Sequence, residues 1–150
     1  MSSQTAPSVP NLNALMSSLQ ASAGTSIYNF LLTEVETTWN TMDAQIKAWI
    51  SANAANNSGL RALISLPDGT VAYDSAKANN SFANFKSKTI DENHNSRLAI
   101  LTAMLGKAGV GYETKYSTTT DKRTSYVAQR IGKSTEDSVG CCRVSILADL

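Results

Sequence analysis

Charge is scarce in this chain and nearly balanced: 13 Lys and Arg stand against 12 Asp and Glu in 150 residues. A nucleic-acid partner calls for a basic excess to neutralise phosphates, so that class is set aside. Long apolar runs are missing too, and none approaches the roughly 18 residues of a membrane span. Met1 leads into SSQTAPSVP, which has neither a basic nor an apolar signal region. No secretory leader is expected, and the chain is assigned to the cytoplasm or to an assembled particle. Histidine occurs once, as His94, and cysteine only as the neighbours Cys141 and Cys142. No Cys/His spacing suits zinc and no oxygen-rich loop suits calcium, so neither a metal nor a cofactor is expected. Adjacent cysteines in a strand point to opposite faces, which favours two reduced, buried thiols. Redox sensing is the sharper alternative, with Arg143 the one cation beside the pair. Gly106, Gly109 and Gly111 do not precede a helix, which argues against a phosphate loop, and no nucleophile elbow occurs. No catalytic residue is assigned, and the chain is read as a non-enzyme.

What is present is a Ser-, Thr-, Asn- and Ala-rich chain of a size suited to one structural unit. Residues 1–25 read as a lead-in with a short helix carrying Leu12, Leu15, Met16 and Leu19, and Gly24-Thr25-Ser26 reads as a break with a new cap. Residues 26–58 hold one long helix and its terminator. In it Tyr28, Leu32, Val35, Trp39, Met42, Ile46 and Trp49 alternate at intervals of four and three, the heptad pattern of a seam between helices. Two readings stand side by side: an amphipathic helix packed on its own domain, or a homodimer interface. The two seam tryptophans, with few charges around them, are costly to leave in water.

Residues 59–150 form the third stretch. Segments 60–66 and 70–74 flank Pro67-Asp68-Gly69, a hairpin signature in which Pro presets the turn and Gly supplies positive φ. Phe82 and Phe85 suggest a short helix. A second helix over 97–105 follows a run of potential caps, and its Leu98, Ile100, Leu101, Met104 and Leu105 spread over most faces, which predicts burial. Three alternating segments then follow, around Val110–Tyr116, Tyr126–Ile131 and Cys142–Ile146, with turn-length connections that predict an antiparallel meander. The fold class is α+β: a five-stranded antiparallel sheet with a long N-terminal helix and connecting helices on one face.

Several short motifs in this order carry a resemblance. Asp68-Gly69 leads to Asp74-Ser75; Asn93-His94 precedes Arg97; Tyr116-Ser117 comes before Tyr126-Val127-Ala128; and Gly140 stands three residues before Arg143. Together they resemble the extracytoplasmic PAS-like (Cache) sensor domain of bacterial histidine kinases, of the phosphate-response and cell-wall type. The likeness covers about residues 60–147. Leu98-Ala99 stands where that family often has Pro-Glu, and Lys115 where it has a strand Arg. The domain is expected to be free-standing, without membrane helices or kinase, so that the architecture carries over and membrane signalling does not. The resemblance implies a ligand between the sheet and the connecting helices, with Arg97, Tyr116, Tyr126 and Arg143 converging on it and His94 counted beside them. Arginine forks there would suit a small carboxylate. The alternative role for His94, with Asp91 and Glu92, is local capping at a helix start.

Two functions follow. One is a PAS-like module acting through association of its N-terminal helix, with sensing of a small ligand. The other is a structural subunit of a larger assembly, such as a virion or filament, that has adopted a sensor fold. Ser/Thr/Asn-rich composition and the lack of an effector domain or export signal speak for the second.

Overall fold

A computed structural model describes residues 12–90, 97–117, 122–132 and 137–149. The chain opens with two helices, α1 (Leu12–Thr33) and α2 (Glu36–Asn53), where one long helix from residue 26 was predicted. Helix α1 runs through Gly24 because its buried stripe never loses register: Leu12, Leu15, Met16, Leu19, Ala23, Ile27 and Phe30 all face inward. Burying that stripe outweighs the roughly 1 kcal/mol a mid-helix glycine costs relative to alanine. The chain breaks instead at Glu34, whose φ of 52° is left-handed. Residues 34 and 35 reverse the direction, and α2 returns along α1 as an αα-hairpin. The bonds from Ser26 Oγ to Gln45 Oε1 (2.8 Å) and from Trp49 Nε1 to Ser18 Oγ (3.0 Å) fix that antiparallel pairing.

Five strands form one antiparallel sheet: β1 (Arg61–Ser65), β2 (Val71–Asp74), β3 (Val110–Ser117), β4 (Lys122–Gly132) and β5 (Ser138–Asp149), in the order β2-β1-β5-β4-β3. The β1–β2 hairpin forms at the predicted turn. Gly69, with φ of 90°, donates to the Leu66 carbonyl at 3.0 Å, and Asp68 Oδ1 accepts from Thr70 N at 2.9 Å. Two short helices lie between hairpin and meander, α3 (Phe82–Lys86) and α4 (Leu98–Leu105).

Register sorts the two faces of the sheet. Cys142, Val144, Val127, Ala62 and Ile64 share one face and join the main core with α1, α2 and α3. Trp39 closes the edge strand β2 from this side, its Nε1 donating to the Ala72 carbonyl at 2.8 Å while its ring lies 5.4 Å from that of Tyr73. Cys141, Tyr126 and Ala128 point the other way and, among the described helices, pack against α4. The sheet is therefore covered on both faces, not on one as expected, and the second cover is thin.

That thinness corrects a second expectation. Helix α4 buries only Ala99 and Ala103, whereas Leu98, Leu101 and Leu105 are 53%, 53% and 75% exposed. Small residues face the sheet because the backbones come very close at Gly111. A Cβ at that position would lie 2.1 Å from the Ala99 carbonyl oxygen, a distance no side chain can occupy. The leucines are left on the outer side.

The adjacent cysteines are free, fully buried and on opposite faces. Loss of solvent pushes the Cys141 thiol up to about 12 and Cys142 higher still. At pH 8 neither is expected to react with a thiol reagent in the native protein, and both should react in denaturant. Fast native labelling would show that β5 opens readily.

Candidate functional site

Beneath α4, on the thinly covered face, lies a cavity of about 40 Å³ lined by Leu63, Ser65, Gly69, Val71, Arg97, Ile100, Leu101 and Arg143. Its walls come from three places. Leu63 and Ser65 of β1 pair with Arg143 and Cys141 of β5, so alternation turns Leu63, Ser65 and Arg143 to one face. The hairpin supplies Val71 and Gly69. Helix α4 and its leading residue supply Arg97, Ile100 and Leu101.

The position of α4 depends on charged strand residues that bind its ends. Glu113 of β3 accepts from the Leu98 and Ala99 amides at 3.1 and 3.4 Å, satisfying free N–H groups where the helix dipole favours a negative charge. Arg130 of β4 donates from Nη1 to the carbonyls of Gly106 (2.7 Å) and Ala103 (3.3 Å), and so complements the negative end. The two clamps and the Gly111 contact hold the helix over β3, β4 and β5, and the space above β1 and β2 remains as the cavity.

Floor and mouth differ in character. Leu63, Ser65, Val71 and Arg143 are all buried; Gly69 and Arg97 are half-buried, and Leu101 is half exposed at the rim. Ser65 is 1% exposed, and its hydroxyl oxygen has no hydrogen-bond partner among the described residues. A buried hydroxyl in that state costs free energy unless something in the cavity binds it. Arg143 is 2% exposed and stacks on Tyr126, with Cζ 4.8 Å from the ring centroid. Burial, and then the nearby Arg61, push the Arg143 pKa below its ordinary value. The guanidinium stays charged at neutral pH, and a negative group beside it would be stabilised.

Arg61 itself is engaged. Its Nε donates to Asp74 Oδ1 at 2.8 Å and its Nη2 to Oδ2, a fork on a carboxylate that is fully buried. Asp74 Oδ1 also accepts from Ala76 N at 3.1 Å, which ties the end of β2 to the following turn.

Of the site residues predicted from resemblance, Arg97 and Arg143 meet at the cavity, and Tyr126 supports Arg143 from below. Tyr116 does not join them. It shares a face with Tyr112, whose hydroxyl bonds Asn13 of α1 at 2.8 Å, so it lies on the face away from the cavity and is 51% exposed. His94 lies outside the described residues. Sequence reasoning missed Ser65, Leu63 and Val71 as lining, and Glu113 and Arg130 as clamps.

The heptad positions also divide. Trp39, Met42, Ile46 and Trp49 are at most 4% exposed in the chain's own core, while Tyr28, Leu32 and Val35 are 43%, 56% and 45% exposed. The reversal at Glu34 leaves Tyr28 and Leu32 on α1, Val35 in the turn and the other four on α2, so the seven positions form no continuous seam. An open groove of about 350 Å³ between α1 and α2, lined by Ser18, Ser22, Ala48, Trp49 and Ala52 among others, holds no charged side chain.

Among the described residues no three His, Cys, Asp or Glu side chains gather as a metal site, and no helix is long and apolar enough to cross a membrane. No family model fits the chain, and no curated protein aligns with it significantly.

Proposed function

We propose that this chain is a non-enzymatic, PAS-like module that binds a small carboxylate in the cavity beneath α4. The observation that carries this reading is a buried guanidinium and an unsatisfied buried hydroxyl, Arg143 and Ser65, on the floor of one cavity with a mouth at Arg97. A few convergent polar groups in a mostly apolar hollow are what a small-molecule site requires. Volume limits the occupant: about 40 Å³ accommodates roughly three waters, or a head group the size of acetate. The PAS-like part of the reading is supported by the five-stranded antiparallel sheet behind N-terminal helices. Three residues that carry the resemblance, Gly69, Arg97 and Arg143, also line the cavity.

The test is thermal unfolding with acetate, and with acetamide and chloride as controls. A ligand at 100 times its Kd adds about 2.7 kcal/mol, and each kcal/mol raises Tm by roughly 2–4 °C at this chain length. Acetate is expected to raise Tm by several degrees and acetamide not at all. Arg143→Met replaces a buried cation by an apolar side chain of similar length, so it should fold and lose the acetate response. An equal response in that variant would remove Arg143 from the site.

The alternative, a subunit of a larger assembly such as a virion or filament, is favoured by the exposed apolar side chains of Tyr28, Leu32 and Val35 around the α1–α2 reversal. These three are what remains of the heptad surface for association with a second copy or a neighbouring subunit. If Tyr28→Ser with Leu32→Ser disperses a large sedimenting species, assembly is the better reading; an unchanged monomer in both proteins would end it.

A further inference from the structure

The cavity and the exposed leucines of α4 share a residue. Leu101 belongs to both: it lines the cavity and is 53% exposed. Leu98 and Leu105 stand three residues before and four after it, which puts all three on one side of the helix. The strip spans about 10 Å at the helical rise, the length of a medium aliphatic chain. Resting on the carboxylate reading above, we infer that the ligand is an amphiphile: a carboxylate head in the cavity and an aliphatic tail laid outward along Leu101 and its two neighbours.

The two ends of the site call for opposite chemistries. The floor offers the Arg143 guanidinium and the Ser65 hydroxyl, 2% and 1% exposed, and is closed to anything larger than a head group. The rim offers leucine. A short carboxylate would satisfy the floor and leave three large apolar side chains in water. A purely apolar ligand would cover the leucines and leave the Ser65 hydroxyl without a bond. Only a molecule with both ends uses the whole surface, and Leu101 at the mouth is where they would join. The helix can carry a tail because Glu113, Arg130 and the close contact at Gly111 hold it from the sheet side, which leaves its outer side clear of those fixings.

Calorimetric titration of the full chain with sodium acetate, sodium octanoate and 1-octanol tests this. Octanoate is expected to bind at least about tenfold tighter than acetate, because part of its chain leaves water. 1-Octanol, lacking the charge, should bind more weakly than octanoate. In Leu98→Ser with Leu105→Ser, neither of which lines the cavity, acetate affinity should be unchanged while octanoate falls to within about twofold of acetate. The unchanged acetate affinity reports that the variant is folded. Equal binding of acetate and octanoate to the natural chain would overturn the amphiphile and leave the carboxylate site standing. Octanol binding as well as octanoate would overturn the head-group assignment, and no binding by any of the three would overturn both.

Discussion

Asp74→Ala is expected to lower stability by about 3 kcal/mol in urea denaturation, although Asp74 does not itself line the cavity. The carboxylate is completely buried and receives the Arg61 fork and the Ala76 amide. Removing it leaves a largely buried guanidinium opposite an apolar methyl and frees a turn amide. The figure lies at the lower end for broken buried pairs because the Arg61 side chain keeps 17% exposure and can recover some water. Arg61→Met in the same protein should restore much of the loss, since the stranded charge is then gone. A loss under about 1 kcal/mol for Asp74→Ala alone would mean that water already reaches the pair.

Gly111→Ala should be as damaging, at about 3 kcal/mol, for a steric reason. The added methyl would meet the Ala99 carbonyl oxygen at 2.1 Å, Thr102 Cβ at 2.8 Å and the Ala103 amide nitrogen at 3.0 Å. Two of the three are helix backbone and cannot step aside alone, so the whole of α4 must lift. Overpacking usually costs about 1–3 kcal/mol, and a clash against backbone sits at the top of that range. Lifting α4 also removes the Ile100 and Leu101 wall of the cavity, so the acetate response should vanish with the stability. An unperturbed urea midpoint would show that α4 is not seated on β3 at all.

Much of the sheet was legible because strand and turn chemistry is local. Pro67-Asp68-Gly69 specifies its hairpin within a few residues, and the alternation in Val110–Tyr116 and Cys142–Ile146 matches the strands found. The helices were harder to read. The heptad spacing from Tyr28 to Trp49 is genuine, but periodicity says which residues share a face only while the helix continues, and Glu34 carries no Gly or Pro to announce a break. Gly24 is a breaker by residue type, yet it sits in a helix interior held by flanking apolar residues.

Helix α4 misled for a related reason. A segment rich in leucine reads as buried, yet its alanines face the sheet, since only small side chains suit the approach at Gly111. Seeing this from sequence would require pairing Gly111 with Ala99 and Ala103, a tertiary contact that no local pattern encodes. The candidate site was half legible. Arg97 and Arg143 came from resemblance, and Tyr126 proves to support the second of them. Tyr116 lies away from the cavity by parity: one residue in a strand decides the face, and its side chain alternates away from Glu113. Ser65 gave no signal, because a serine ending a short strand is unremarkable until its hydroxyl is seen buried without a partner.

The most direct measurement of the central claim is a two-dimensional amide spectrum of the labelled chain titrated with sodium acetate. The largest shift changes are expected at Leu63 and Ser65, around Gly69 and Val71, from Arg97 to Leu101, and at Arg143, with α1 and α2 silent. Changes confined to the groove between α1 and α2, or none at saturating acetate, would contradict it.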